Sequence, residues 1–177
     1  MGPRDVLVID AGPLLDSLVL RCESGPYRVR WRHPPQLHGL RNNAEADLFL
    51  SLLLRHRGRV WTSSGVLSEL ASHVRTGEDH ALRGEKRTFR QRAWNALRAM
   101  WMECEIEERL VSFSNLDEDR VVDLGLVDTG LLHLAREART ERERGVLVTN
   151  DGTLLSHCLA DEVHAEYARD LVRIDLI

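Results

Sequence analysis

Short apolar runs alternate along the chain with longer segments in which apolar residues recur every three or four positions. Runs this apolar are typical of strands buried on both faces, and the periodic segments between them are typical of helices. This order predicts an α/β fold with a mainly parallel sheet covered by helices on both sides. The predicted strands are 6–9, 59–61, 110–113, 146–148 and 171–174, and the predicted helices include 44–56, 64–73, 85–108, 128–143 and 153–162.

The least regular stretch lies between the first two predicted helices, at about 23–41. It contains Gly25-Pro26, Pro34-Pro35 and Gly39, which favour a loop insertion. The chain has 177 residues, 43% of them hydrophobic, and contains no repeat or long Gly/Ser linker. A single domain spanning 1–177 is therefore predicted.

Composition indicates a soluble protein of the cytoplasm. The three cysteines are scattered, lack C-x-x-C spacing and are odd in number, which favours a reducing compartment. The apolar run near the N-terminus is far shorter than a signal-peptide core or a membrane span, so no membrane association is expected. The formal net charge is −4, so any nucleic-acid binding must depend on local charge.

Two aspartates stand at matching positions, each directly after a predicted buried strand and before a helix. Asp10 follows the run 6–9 and precedes Gly12-Pro13, and Asp151 follows the run 146–148. In parallel α/β sheets, ligands bind at the carboxyl ends of the strands. Either residue could instead be a helix N-cap. Two acids at two such ends favour a functional site.

Two further acids are weaker candidates when each is taken alone. Asp128 opens a predicted helix, where the helix dipole favours an acid in any protein. Glu69 adjoins Leu70 at the border of a helix's apolar stripe, where a solvated surface side chain is the alternative. The residues around these two acids leave both interpretations open.

Four motifs in order change this picture. They are I-D-A-G-P-L-L around Asp10, S-S-G-V-L-S-E-L around Glu69, L-V-D-T-G-L-L-H-L-A around Asp128, and L-V-T-N-D ending at Asp151. Together they resemble the acidic motifs of the PIN-domain family of metal-dependent ribonucleases, and the resemblance spans 6–155. It implies a three-layer α/β/α sandwich, a five-stranded sheet of order 3-2-1-4-5, and a Mg²⁺ or Mn²⁺ site that hydrolyses RNA phosphodiester bonds.

The resemblance also assigns roles and partners. Thr149 and Asn150 are expected to hydrogen-bond behind the metal ligands. The family often has a small polar residue after its first Asp, where this chain has Ala11. Toxin-type members are held by an antitoxin, so candidate partners besides RNA are an antitoxin protein and a second copy of the chain. The predicted catalytic and metal-binding residues are Asp10, Glu69, Asp128 and Asp151.

Electrostatics explains why such a cluster would need a cation. Two like charges ~4 Å apart repel by about 4 kcal/mol at an effective dielectric constant of about 20, so four carboxylates do not stay ionised together unaided. Carboxylate oxygens suit Mg²⁺ or Mn²⁺, whereas zinc prefers His or Cys ligands. The cluster therefore predicts Mg²⁺ or Mn²⁺ as cofactor.

Two arginine-rich segments could guide RNA to an acidic site. Each also contains aromatic residues, a combination suited to phosphate contact and base stacking. The alternatives are a loop for the first segment and a solvated helix face for the second. The predicted RNA-contacting residues are Arg28, Arg30, Arg32, Arg87 and Arg90.

Other enzyme classes fit less well. An aspartyl-nucleophile phosphotransferase usually has a second Asp two residues after the first, where this chain has Gly12. A receiver-type phosphoacceptor needs a lysine after a late strand, and the sole lysine is Lys86. A PIN-like module that binds RNA or protein without cutting stays open as the second hypothesis.

Overall fold

A computed structural model describes residues 4–23, 38–79, 86–139 and 143–174 of the chain. The fold is α/β, with five strands in one all-parallel sheet of order β3-β2-β1-β4-β5 and helices flanking it. The predicted architecture and strand order are therefore confirmed. The predicted loop insertion at about 23–41 falls mostly outside the described residues.

The described elements follow one another in the alternating order that the sequence predicts. Their bounds are β1 (Arg4–Ile9), α1 (Ala11–Glu23), α2 (Asn43–Arg55), β2 (Val60–Ser63), α3 (Ser64–Asp79), α4 (Lys86–Cys104), β3 (Ile106–Arg109), a 3₁₀ turn (Phe113–Asn115), α5 (Glu118–Leu124), α6 (Leu126–Glu137), β4 (Glu143–Thr149), α7 (Gly152–Ala160), β5 (Ala165–Tyr167) and α8 (Ala168–Ile174).

The central strands β1 and β4 form the core of the sheet because their side chains are apolar on both faces. Leu7 pairs with Val60 on one side and with Val146 on the other, and all three are buried. Helices α1 to α4 pack against one another, whereas α6 packs along β1, β2 and β4. One hydrophobic cluster joins the sheet to these helices, from Leu7 in β1 to Val172 in α8.

Two strand predictions were wrong, and both concern the edges of the sheet. The third strand is β3, inside a segment predicted as helix, and the run 110–113 follows it with Leu110 exposed. The fifth strand is the three-residue β5, while 171–174 belongs to α8. Edge strands pair on one side only, so they do not need the continuous apolar run by which central strands are recognised.

The sixth helix ends earlier than predicted, at Glu137, and β4 begins at Glu143. Gly145 in β4 is where the helix and the strand come closest. A Cβ atom added there would lie 2.0 Å from the carbonyl oxygen of Ala135 and 3.0 Å from the Cβ of Ala138. Only glycine permits this approach, so the last turn of α6 lies directly on the strand.

None of the helices within the described ranges combines the length and the apolar character that a membrane span requires.

Candidate active site

The four predicted acids lie at the carboxyl edge of the sheet. Asp10 directly follows β1, and Asp151 follows β4 after Asn150. Helix α3 starts where β2 ends and bears Glu69 in its second turn, while Asp128 lies in the first turn of α6. Parallel strands direct all of these segments to one edge, which is why residues far apart in the sequence meet there.

Asp10 is the most buried of the four, with 8% of its surface exposed. Its Oδ2 accepts a hydrogen bond of 2.7 Å from the Thr149 hydroxyl, and its Oδ1 accepts one from the Ala11 backbone N–H. Burial nevertheless raises the pKa of Asp10 to about 6, and the charges of Glu69 and Asp151 add to the rise.

Asp128 is half-buried, and its pKa is raised to about 7. Burial is the largest cause, followed by the charges of Asp10, Asp151 and Glu69. Each of the other three predicted acids thus lies close enough to Asp128 to disfavour its ionised form. The four residues therefore form one electrostatic cluster, as the sequence motifs suggested, and this cluster is called the acidic cluster below.

Asp151 is exposed and is also the N-cap of α7. Its Oδ1 accepts hydrogen bonds from the backbone N–H groups of Thr153 at 2.6 Å and Leu154 at 3.2 Å. The capping interpretation from sequence is therefore correct for this residue. It does not conflict with membership of the acidic cluster, because both hydrogen bonds use the same oxygen and Oδ2 makes none with the described residues.

Glu69 is exposed on α3, at the position that the periodicity predicted. Its Oε1 lies 3.9 Å from Nε2 of His73, one helical turn further on. A contact of that length between exposed groups contributes little. Glu69 therefore joins the acidic cluster chiefly through the electrostatic contributions it makes at Asp10 and Asp128.

Thr149 is a fully buried link between the two strand ends. Its hydroxyl donates to Oδ2 of Asp10 and accepts a hydrogen bond of 3.0 Å from the backbone N–H of Asp151. One side chain thus fixes the first and the last predicted acids relative to each other. This is the supporting position expected for Thr149 from the sequence.

Asn150 supports a different acid. Its Nδ2 donates a hydrogen bond of 2.8 Å to Oδ2 of Asp16, which also accepts one of 3.0 Å from the backbone N–H of Leu40. Asp16 is buried in α1, and burial raises its pKa to about 6. The Asp16 carboxylate therefore joins α1 to the end of β4 and to the segment before α2, and the side-chain hydrogen bond of Asn150 goes to this acid rather than to the four predicted ones.

Asp16 is not one of the four acids marked by the sequence motifs, although one feature of the sequence does set it apart. Asp16 lies within the apolar segment L-L-D-S-L-V-L. An apolar segment of this kind is expected to be buried in a helix, so a charged residue within it is unusual. Such a charge needs partners, and here they are the Asn150 amide and the Leu40 backbone. Loop segment 38–41 approaches so closely that a Cβ added to Gly39 would lie 2.3 Å from Oδ2 of Asp16.

The donor chemistry of the acidic cluster fits a hard divalent cation, because all four side chains are carboxylates. Within the described ranges, however, no three His, Cys, Asp or Glu side chains form a group arranged to coordinate a metal ion. The carboxylates are close enough to interact by charge without forming a ready coordination shell. Binding a cation would therefore require side-chain adjustment, most simply at the exposed Glu69 and Asp151.

The predicted RNA-contacting arginines are only partly accessible to structural description. Arg28, Arg30 and Arg32 lie outside the described residues. Arg87 lies in α4, but its side chain is outside the described part of the chain, and Arg90 is exposed on the same helix. Their role in RNA binding stays a prediction.

Comparison with known proteins adds no family assignment. No protein-family model matches the chain, and no curated protein matches it. The resemblance to PIN-domain ribonucleases therefore depends on the four motifs and on their convergence at one sheet edge.

Proposed function

We propose that the chain is a metal-dependent endoribonuclease of PIN-domain type, with Asp10, Glu69, Asp128 and Asp151 as its catalytic acids and Mg²⁺ or Mn²⁺ as its cofactor. The observation that carries the proposal is the link through Thr149, which joins Asp10 to the segment bearing Asp151 at the carboxyl edge. The pairing of β1 with β4 brings the two acids to neighbouring strand ends, and this one hydroxyl fixes the Asp10 carboxylate against the turn that carries Asp151. A pair of unrelated helix caps would not need that link.

The electrostatics of Asp10 and Asp128 supports the same conclusion. Within the described residues neither carboxylate has an arginine, lysine or histidine as ion-pair partner. Burial and then repulsion by the other three acids raise the pKa of Asp128, and a protein gains no stability from either effect. Strongly shifted acids gathered at a ligand-binding edge are typical of functional sites.

The buried and the exposed acids would have different roles in metal binding. Asp10, oriented by two hydrogen bonds, would be the fixed ligand, and Asp128 would lie beside it. Glu69 and Asp151, both exposed, would complete the site and orient a water molecule or the substrate. A bound Mg²⁺ or Mn²⁺ supplies a Lewis acid that activates water and offsets negative charge on the phosphate.

The direct test is incubation of the purified protein with end-labelled single-stranded RNA, with Mn²⁺ or Mg²⁺ or with a chelator. We expect cleavage with the metal and none with the chelator. Asp10→Asn and Asp128→Asn should each lower kcat/KM by more than about 100-fold, beyond the loss usual for residues that only support a metal ligand. The matched control is Asp47→Asn, which changes an exposed helical Asp outside the acidic cluster.

Cleavage that persists in both Asp10→Asn and Asp128→Asn would contradict the proposal. RNA binding by wild-type protein, without cleavage in either metal, would instead support the second hypothesis of a non-cleaving binding module. The lack of a ready coordination shell among the described residues favours that second hypothesis.

A toxin role with an antitoxin partner is a finer proposal that follows from the resemblance alone. Expression of the wild-type chain in a bacterial host should arrest growth, whereas expression of Asp10→Asn at the same level should not. Equal growth of the two strains would argue against a toxin without affecting the proposed ribonuclease chemistry. The proposed homodimer is tested separately by sedimentation of the purified protein.

A further inference from the structure

An apolar groove of about 180 Å³ lies at the carboxyl edge, on the β2 and β3 side of the sheet. Its walls are the start of α3, the segment that follows β3, and the first turns of α6. The lining includes Gly65, Val111, Phe113, Val127 and Gly130. None of these residues belongs to the acidic cluster.

The groove adjoins the acidic cluster through two helices. On α3, Gly65 lies one turn before Glu69, and residues four positions apart share a helix face. On α6, Val127 directly precedes Asp128. A polymer with one phosphate at the carboxylates would therefore have its neighbouring unit beside the groove.

The rim of the groove exposes large apolar side chains. Phe113 is 68% exposed and Leu126 is 53% exposed. Phe113 sits in the short 3₁₀ turn, where neither strand pairing nor a helix face explains an aromatic residue. Exposed apolar groups that cluster around a concave surface are typical of binding sites.

Size limits what the groove can hold. Its volume of about 180 Å³ is below the ~300–1,000 Å³ usual for small-molecule pockets, so it suits one flat ring system rather than a whole nucleotide. The space depends on the glycine at position 65. A Cβ added at Gly65 would lie 2.8 Å from Cγ2 of Val127, so a side chain there would displace the groove wall.

We propose that this groove binds one nucleobase of single-stranded RNA, next to the phosphodiester bond that the acidic cluster cleaves, with the base stacked on Phe113. The inference rests on the proposed ribonuclease function and deepens it. Every nucleobase has an apolar face, and stacking on an aromatic side chain is the usual way in which single strands are held. Ser63 and Ser64 also line the groove, so its wall is not wholly apolar.

The test compares an RNA that has a single cleaved bond with versions that lack the base at one position near that bond. In wild-type protein, removal of one particular base should lower kcat/KM about tenfold, within the range for base stacking. Phe113→Ala should cause a similar loss with the intact RNA and should show no further loss with the abasic RNA. Met102→Ala, a change to a 67% exposed side chain at the far end of α4, should behave as wild type.

A second variant checks the groove without removing the aromatic ring. A Cβ added at Gly130 would lie 3.9 Å from Cγ2 of Val111, an ordinary contact, so Gly130→Ala should fold normally and narrow the groove. We expect it to lower kcat/KM for the intact RNA more than for the abasic RNA.

Several results would overturn the inference. One is a Phe113→Ala variant that cleaves intact RNA with the wild-type kcat/KM and loses as much kcat/KM as wild type on the abasic RNA. That result would leave the ribonuclease proposal intact. Another is an unchanged kcat/KM in Phe113→Ala together with dissociation of a dimer in sedimentation, because the groove would then be a protein interface. If wild-type protein cleaves no RNA, the ribonuclease proposal fails. The groove is then judged by fluorescence anisotropy, where a tenfold higher RNA Kd in Phe113→Ala supports it and an equal Kd refutes it.

Discussion

Carboxylates at the two edges of the sheet have opposite surroundings. At the amino edge, Asp161 follows α7 beside a cavity of about 430 Å³ that Gly145 and Arg136 also line. Its side chain is 9% exposed and contacts Arg120 at 2.5 Å and Arg136 at 2.9 Å. At the carboxyl edge, Asp10 is as deeply buried, but hydroxyl and backbone groups are its hydrogen-bond donors and its charged neighbours are acids.

The difference separates an acid whose charge the fold neutralises from one whose charge it does not. Asp161 joins α5, α6 and the end of α7, so its charge is neutralised within the protein. The acidic cluster concentrates negative charge that the described residues do not neutralise. Such an arrangement lowers stability and is expected where a cation from solution takes part in function.

The largest effect on stability should come from neutralising Asp10. Its pKa is raised from 3.8 to about 6, so its ionised form destabilises the fold, and Asp10→Asn should raise the free energy of unfolding by about 3 kcal/mol near pH 8. The folded state holds this proton more tightly than the unfolded state, so the difference should shrink as the pH falls from about 6 and vanish below about 4. Urea denaturation of both proteins across this range, without divalent metal, measures it.

A stabilising effect of similar size at all pH values would contradict the raised pKa, because a protonated Asp10 has neither a buried charge nor repulsion to relieve. Asp47→Asn, at an exposed helical position, is the control and should change the free energy of unfolding little at any pH.

Divalent cations should stabilise the protein by binding at the carboxyl edge and not at the amino edge. At a metal concentration of about 100 times Kd, a ligand that binds only the folded state raises the free energy of unfolding by about 2.7 kcal/mol. We expect Mn²⁺ to raise the Tm of the wild-type protein and of Asp161→Asn, but not that of Asp10→Asn. An equal Tm shift in all three proteins would place the cation outside the acidic cluster.

Neutralising Asp161 should have the opposite sign from neutralising Asp10. Asp161→Asn leaves Arg120 and Arg136 without their carboxylate, which should lower the free energy of unfolding by about 2 kcal/mol, in the range for hydrogen bonds to charged groups. Chemical denaturation at pH 7 tests this value. Asp161→Asn should still cleave RNA at a temperature where it is folded. Loss of cleavage at that temperature would contradict a purely structural role for Asp161.

The smallest effect on stability is expected at two buried threonines, which activity then distinguishes. Thr149 donates to Asp10, whereas Thr62 donates to the backbone carbonyl of Ile9, both at 2.7 Å. Thr149→Val and Thr62→Val should each lower the free energy of unfolding by about 1 kcal/mol. Only Thr149→Val should also lower kcat/KM for RNA, by about 10- to 100-fold. Equal activity in the two variants would mean that the link through Thr149 has no part in the chemistry.

The centre of this fold was predictable from sequence, and its periphery was not. The apolar runs of β1 and β4 identify strands buried on both faces, and the acids that follow them are placed by the parallel topology. The edge strand β3 has the sequence I-E-E-R with one buried residue, so its pattern resembles a helix surface. In α8, Leu171 and Val172 form an apolar pair that only the packing against α2 distinguishes from a strand.

Part of the candidate site was likewise predictable from local sequence patterns, and part was not. The positions of Asp10 and Asp151 follow from strand ends. The contacts of Asp16 instead bring together α1, segment 38–41 and the end of β4, which no local pattern connects. The groove around Phe113 was missed because an apolar run at 110–113 is typical of a strand. Phe113 is exposed because the edge strand β3 ends at Arg109, before the apolar run begins.

Gly145 gives the amino edge an influence on chemistry at the opposite edge. Helix α6 is a rod about 18 Å long, at 1.5 Å per residue, with Asp128 in its first turn. Its last turn rests on the strand at a spot where no side chain fits. Any larger residue at position 145 would push the last turn of α6 away from the sheet. Because the helix is rigid, its first turn would move as well and would shift Asp128. A methyl group placed at the edge opposite the acidic cluster would thus misalign it, so a screen for lost activity should recover substitutions at position 145 among those at the four acids themselves.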